Sequence, residues 1–156
     1  MSVGDGSLGL GAITPGQAAW LAQINSNLEQ LVNINSWRRT KTSGEALTAG
    51  EAVAIENSDG KMYKADHTAV PTTDDYLWNV FGVTATTVAG ADESIIVVIR
   101  GPITVTAHGF PVGAPVYLSP TVPGALTSVS TSGRLIGIVE DANTIFLDCP
   151  RAWASS

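Results

Sequence analysis

Cysteine is almost missing from this chain. Cys149 is the only one in 156 residues, which excludes an internal disulfide framework and any zinc site built on cysteines alone. It closes an apolar run, so a buried and chemically inert thiol is expected. Histidine is nearly as scarce. His67 and His108 both adjoin turn sequences, Asp66-His67-Thr68 and Ala107-His108-Gly109, and read as solvated loop residues rather than general bases or metal ligands. His-x-x-x-His, Cys-x-x-Cys and Gly-x-Ser-x-Gly patterns are all absent from the sequence, which removes the commonest zinc, redox and serine-hydrolase signatures.

Charge is also thin, at 14% of residues, and the 8 basic side chains are outnumbered by 14 acidic ones for a net charge of −6. Nucleic-acid binding through phosphate neutralisation needs clustered Lys and Arg. The one local cluster, Arg38-Arg39-Thr40-Lys41, reads as a solvated junction between elements. No stretch approaches the roughly 18 apolar residues of a membrane span. Met1 to Gly11 lacks the basic start and apolar stretch of a signal peptide, so synthesis in a cytosol without membrane association is expected.

The carboxylate pairs Asp74-Asp75, Asp92-Glu93 and Glu140-Asp141 are weak candidates for calcium or for glycosidase chemistry. On a strand, adjacent side chains point to opposite faces, and in loops such pairs mostly serve solubility. Gly4-Asp-Gly6 and Gly9-Leu-Gly11 follow no strand and so make no phosphate cradle. The reading is a protein with no catalytic residues, no cofactor and no metal.

What the chain does have is glycine, proline and short apolar runs: 16 Gly, 8 Pro and 44% hydrophobic residues, a composition suited to many short strands joined by tight turns. One module occurs twice. Leu47-Thr-Ala-Gly50-Glu-Ala-Val53-Ala-Ile55 has the skeleton of Phe110-Pro-Val-Gly113-Ala-Pro-Val116-Tyr-Leu118, with every matched pair 63 residues apart. Each copy turns through glycine, at Asp59-Gly60 and Pro123-Gly124, and continues into a second apolar pair. These are Phe81-Gly82-Val83 before Ser94–Ile99, and Ile136-Gly137-Ile138 before Thr144–Leu147. An internal repeat of this kind predicts a mainly β domain, a barrel or sandwich of two similar hairpin units with eight or nine strands. Within it Trp78–Thr86 is expected as a strand, Ile103–Thr106 as another, and Ile95–Ile99 as buried on both faces.

Ahead of the repeat, Thr14, Pro15 and Gln17 provide a capping box and a first-turn proline. Leu21, Ile24, Leu28 and Leu31 then recur at heptad spacing, with Asn35 next on the seam and Trp20, Val32 and Ile34 widening the stripe. This predicts an amphipathic helix of about 34 Å, at about 1.5 Å per residue. Burying the seam is worth roughly 6–12 kcal/mol, less than the cost of ordering the backbone at about 1–2 kcal/mol per residue. The helix therefore needs a partner surface, and self-association through Leu21, Ile24, Leu28 and Leu31 is favoured over packing on its own β domain. The organisation expected is a Gly-rich leader at 1–12, the helix at 13–36, a linker at 37–44, the β domain at 45–150 and a tail at 151–156.

The ordered set Leu47–Val53, Gly60–Asp66, Phe81–Val83, Val112–Ser119, Pro123–Thr127, Ile136–Val139 and Ile145–Leu147 resembles a β module of tailed-bacteriophage structural proteins. That module belongs to capsid decoration (cement) and head-fibre proteins and is shared with some tail-fibre proteins. The resemblance covers roughly residues 45–150. It implies a virion component made in the host cytoplasm and carried on the capsid surface. Such a protein is non-enzymatic, a symmetric oligomer with the trimer favoured, and bound to the major capsid protein. Leu8, Leu10 and Trp37 are candidates for docking to the shell. Two rivals stand beside it. One is a tail-fibre or baseplate component. The other is a carbohydrate-binding module using Trp37, Trp78, Trp153, Tyr63, Tyr76 or Phe110 to stack on sugars, with a host-surface glycan as partner.

Overall fold

The computed structural model describes residues 19–25, 37–69, 76–130 and 133–149. The chain divides into two separately organised units, Met1–Asn35 and Ser36–Ser156. In the first, residues 19–25 are helical, with Leu21 and Ile24 half-buried while Ala19, Trp20, Ala22, Gln23 and Asn25 are exposed. The two seam positions within reach thus sit on the less exposed side, as 3.6-residue periodicity requires. Trp20, expected to widen the stripe, stands four residues before Ile24 and is exposed.

The second unit is one curled antiparallel sheet of nine strands that forms a half-barrel: β1 Trp37–Thr42, β2 Ala52–Ile55, β3 Met62–Lys64, β4 Gly82–Thr84, β5 Ser94–Thr104, β6 Pro115–Leu118, β7 Leu126–Thr127, β8 Leu135–Asp141 and β9 Thr144–Asp148. Their order is β3-β2-β4-β5-β9-β8-β6-β7, with β1 paired to β5 off that path. The order is a palindrome of the repeat: β3-β2-β4-β5 in one half is matched by β7-β6-β8-β9 in the other.

The match extends to single hydrogen bonds. Gly50 N–H donates to Thr84 O at 2.8 Å and Gly113 N–H to Val139 O at 2.9 Å. Thr84 N–H returns to Glu51 O, and Val139 N–H to Ala114 O, both at 2.9 Å. Gly82 and Gly137 are equivalent for a steric reason. A Cβ at 82 would lie 2.5 Å from the carbonyl oxygen of Val98, and one at 137 would meet the carbonyl oxygen of Phe146 as closely. Only glycine lets the second inner strand of each half approach its neighbour. The ends of the sheet path are tied together through Gly124, which accepts from Ala52 N–H and donates to Ala65 O, each at 2.8 Å.

Two cores result. The larger joins the halves: Ala52, Ala54, Val83 and Val98 from the first meet Val116, Leu118, Ile136, Val139, Ile145 and Leu147 from the second. The smaller lies on the other face of the first half, with Leu47, Val53, Met62, Val88, Ile95 and Val97. Its cover is the chain around Leu47 and Val88, which form an antiparallel bridge. Ser43 pins that cover, its hydroxyl donating to Gly90 O at 2.7 Å and accepting from Glu93 N–H at 3.0 Å.

Several expectations change. Residues 37–42, expected as linker, form β1 in register with Ser94–Arg100. Five of its six residues are exposed, so the hydrophobic alternation that signals a strand is missing even though the ladder is made. Ile95–Ile99 is not buried on both faces, because Ile96 is exposed. Ile103 and Thr104 continue β5 through Gly101-Pro102 and do not open a new strand. The strand expected at 78–86 shrinks to Gly82–Thr84, leaving Trp78–Val80 in the approach to it.

Candidate interaction surface

The repeat makes it possible to compare each residue of one half with its counterpart. Alignment by the shared hydrogen bonds and the glycine contacts sets Ala52, Val83 and Val98 against Pro115, Ile138 and Phe146. One face of each half is buried in both copies, with Val53, Thr84 and Val97 matching Val116, Val139 and Ile145. The opposite face is treated differently. In the first half it is fully covered, since Ala52, Val83 and Val98 are each 0% exposed. In the second half Ile138 is 55% and Phe146 46% exposed, and Pro115 is exposed as well.

The cause is the way the halves stack. The second half lays its inner face on the outer face of the first, and the first half's own inner face is capped by the chain around Leu47 and Val88. This is a head-to-tail contact, which leaves one unused face at its end. That face is the outer side of the second half.

Cross-strand register joins these exposed residues to the half-buried Pro102 in a row. Pro102 pairs with Phe146, Phe146 with Ile138, and Ile138 with Pro115, and directly paired residues share a face. One row over, Trp37 pairs with Arg100 and Arg100 with Asp148. The Arg100 guanidinium lies 5.7 Å from the centre of the Trp37 ring, with its Nε 3.7 Å from Asp148 Oδ1. Trp37 itself is 54% exposed. A proline, phenylalanine, isoleucine and proline in line across four strands, flanked by an indole and an ion pair, is the layout of a contact surface: an apolar centre with polar groups beside it.

Of the residues singled out from sequence, Trp37 joins this surface. Leu21 and Ile24 lie in the helical stretch, whereas Leu8, Leu10, Leu28, Leu31 and Trp153 lie outside the described residues. Pro102 lies in no matched segment; Pro115, Ile138 and Phe146 lie within the repeat, but nothing in it marks them as outward-facing. What signals them is the comparison of copies, where alanine, valine and valine are replaced by proline, isoleucine and phenylalanine.

Of the polar candidates, Asp74 and Asp75 lie outside the described residues, while His108, Asp92, Glu93 and Asp141 have structural tasks. His108 accepts from Phe110 N–H at Nδ1, 3.0 Å away, so its Nε2, 2.9 Å from Asp141 O, carries the proton; its ring stacks on Phe110 at 5.2 Å. Asp92 pairs with Lys61 at 2.8 Å, Glu93 accepts from Gly90 N–H at 2.9 Å, and Asp141 from Asn143 N–H at 2.8 Å. Among the described residues no three His, Cys, Asp or Glu side chains gather where they would hold a metal ion, and no helix there is long and apolar enough to cross a membrane. Cys149 is buried, and burial pushes its thiol up to about 12.

No protein-family model and no curated protein matches this chain.

Proposed function

We propose that this chain is a non-enzymatic virion structural protein, a capsid decoration or head-fibre protein that assembles with itself and adheres to the outside of a phage capsid. The observation that carries the reading is the bare outer face of the second half. Residues equivalent to fully buried ones stand exposed there in a continuous apolar row, and such a face is built to be covered. Its action is mechanical: apolar side chains bury area against neighbouring subunits, and repetition at symmetry-related positions reinforces a shell. The heptad spacing of Leu21, Ile24, Leu28 and Leu31 supports self-association, with Trp37 close behind it in sequence and on the same sheet face as Phe146. The resemblance of residues 45–150 to phage decoration modules supplies the setting, with the major capsid protein as partner.

Copy number tests the reading. In purified virions that carry this chain, quantitative mass spectrometry is expected to find it in numbers comparable to the capsid lattice points. A handful of copies per particle would move it to the tail fibre or baseplate, and its absence from particles would overturn the virion assignment.

A further inference from the structure

A cleft of about 640 Å³ opens beside the end of β2, lined by Ile55, Asn57, Tyr76, Trp78, Val80 and Arg134 among others. Its volume falls within the usual range for small-molecule sites, roughly 300–1,000 Å³. Three features separate it from an ordinary surface dent.

The first is an orphan donor. Trp78 Nε1–H is buried without a hydrogen-bond partner among the described residues, a condition that costs about 1–3 kcal/mol and is rare enough in folded proteins to require an explanation. The second is an uncompensated cation. The Arg134 guanidinium sits 4.3 Å from the centre of the Trp78 ring. Lys61, Lys64 and Arg100 all have carboxylate partners, but Arg134 has none among the described residues. Lys41 is a second such cation, its Nζ 5.2 Å over the ring of Phe81, which also lines the cleft. In a chain of net charge −6, two cations thus lie on aromatic rings without a carboxylate partner among the described residues. The third is the lining itself, in which none of the described residues is acidic. It combines the flat apolar surfaces of Tyr76, Trp78 and Phe81 with the amides of Asn57 and Asn79.

We infer that this cleft binds a carboxylated sugar, a uronic or sialic acid residue of a glycan. The ligand chemistry follows from the lining. A carboxylate answers Arg134, which presents planar, forked donors suited to it. Ring hydroxyls answer the orphan indole N–H and the two amides, and the apolar face of a sugar ring lies on the exposed aromatic surface. A neutral sugar leaves the cation unanswered, and a small inorganic anion leaves the aromatic and amide groups unused. The site lies apart from the Pro102–Phe146–Ile138–Pro115 row, and the inference stands whether or not the assembly reading does.

The test is a tryptophan-fluorescence titration of the full chain with sodium glucuronate and with N-acetylneuraminate. Glucose, acetate and phosphate serve as comparisons at matched ionic strength. A saturable change with at least one acidic sugar is expected, with glucose, acetate and phosphate each binding at least tenfold more weakly; whichever acid binds assigns the site to uronic or sialic acids. Arg134→Gln is expected to weaken acidic-sugar binding at least tenfold, and Trp78→Phe to remove the signal. Asn57→Ala probes the same site from a half-open edge should either of those variants fold poorly. No saturable response to either acid, equal binding of glucose, or competition by acetate or phosphate as strong as by the sugar acids would each overturn the inference, and the wild-type comparison decides this without any variant.

Discussion

Phe146 stands in the second copy where Val98 stands in the first, each lending its carbonyl oxygen to the close approach of a glycine, yet Val98 is fully buried and Phe146 is 46% exposed. One backbone plan thus meets two environments. Had the two halves packed like face to like face, equivalent residues would share their burial; instead the second half covers the first and is itself left uncovered. The proposed assembly role rests on that difference.

Adjacent residues of β9 should therefore respond in opposite ways. Leu147 is buried in the joint core, so Leu147→Ala is expected to cost about 2–5 kcal/mol in urea unfolding. Phe146→Ala, one position earlier and facing out, is expected to change the stability of the isolated chain by no more than about 0.5 kcal/mol. Equal losses would mean that Phe146 is covered within its own chain.

The paired glycines make a second comparison. Gly82→Ala and Gly137→Ala each drive a methyl group into a backbone carbonyl across the sheet, an overpacking that costs about 1–3 kcal/mol. Thermal melts should show both variants destabilised by similar amounts, whereas Gly90→Ala, which has room around it, should stay near wild type.

Cys149 should be silent in the folded protein. Burial lifts its thiol to about 12, so little thiolate exists near pH 8 and reagent access is closed. A maleimide is expected to label it only once urea unfolds the chain. Rapid labelling in native buffer would contradict its place in the core.

Acid should find two turn carboxylates. Lys61 N–H, chiefly, holds Asp59 below its ordinary 3.8, with the Tyr63 hydroxyl adding to it. Asn143 N–H, chiefly, does the same for Asp141. A depressed folded-state pKa gives stability that is complete above the unfolded value and is lost as pH falls through the folded one. The urea midpoint should drop below about pH 4, and it should drop less steeply in an Asp59→Asn/Asp141→Asn variant.

Much of the fold was legible because the repeat is written in spacing. Gly50 and Gly113 mark equivalent turns, and β2 and β6 fall on the matched segments. The polar strand β1 escaped because Arg38, Arg39 and Thr40 show no alternation when both faces meet solvent. The outward row escaped for the reverse reason: in Ile145-Phe146-Leu147 all three residues are apolar, and only the fold reveals that the middle one faces out. The Trp78–Arg134 pairing joins residues far apart in the chain, and neither carries a local motif. Leu21 and Ile24 fall in a helical stretch, as their heptad spacing leads one to expect.

The most direct test is the solution mass of the full chain, measured by light scattering beside an Ile138→Asp/Phe146→Asp variant. A wild-type oligomer is expected, and a variant of lower mass whose circular dichroism is unchanged. A wild-type monomer, or a folded variant of undiminished mass, would contradict a role for this face in assembly.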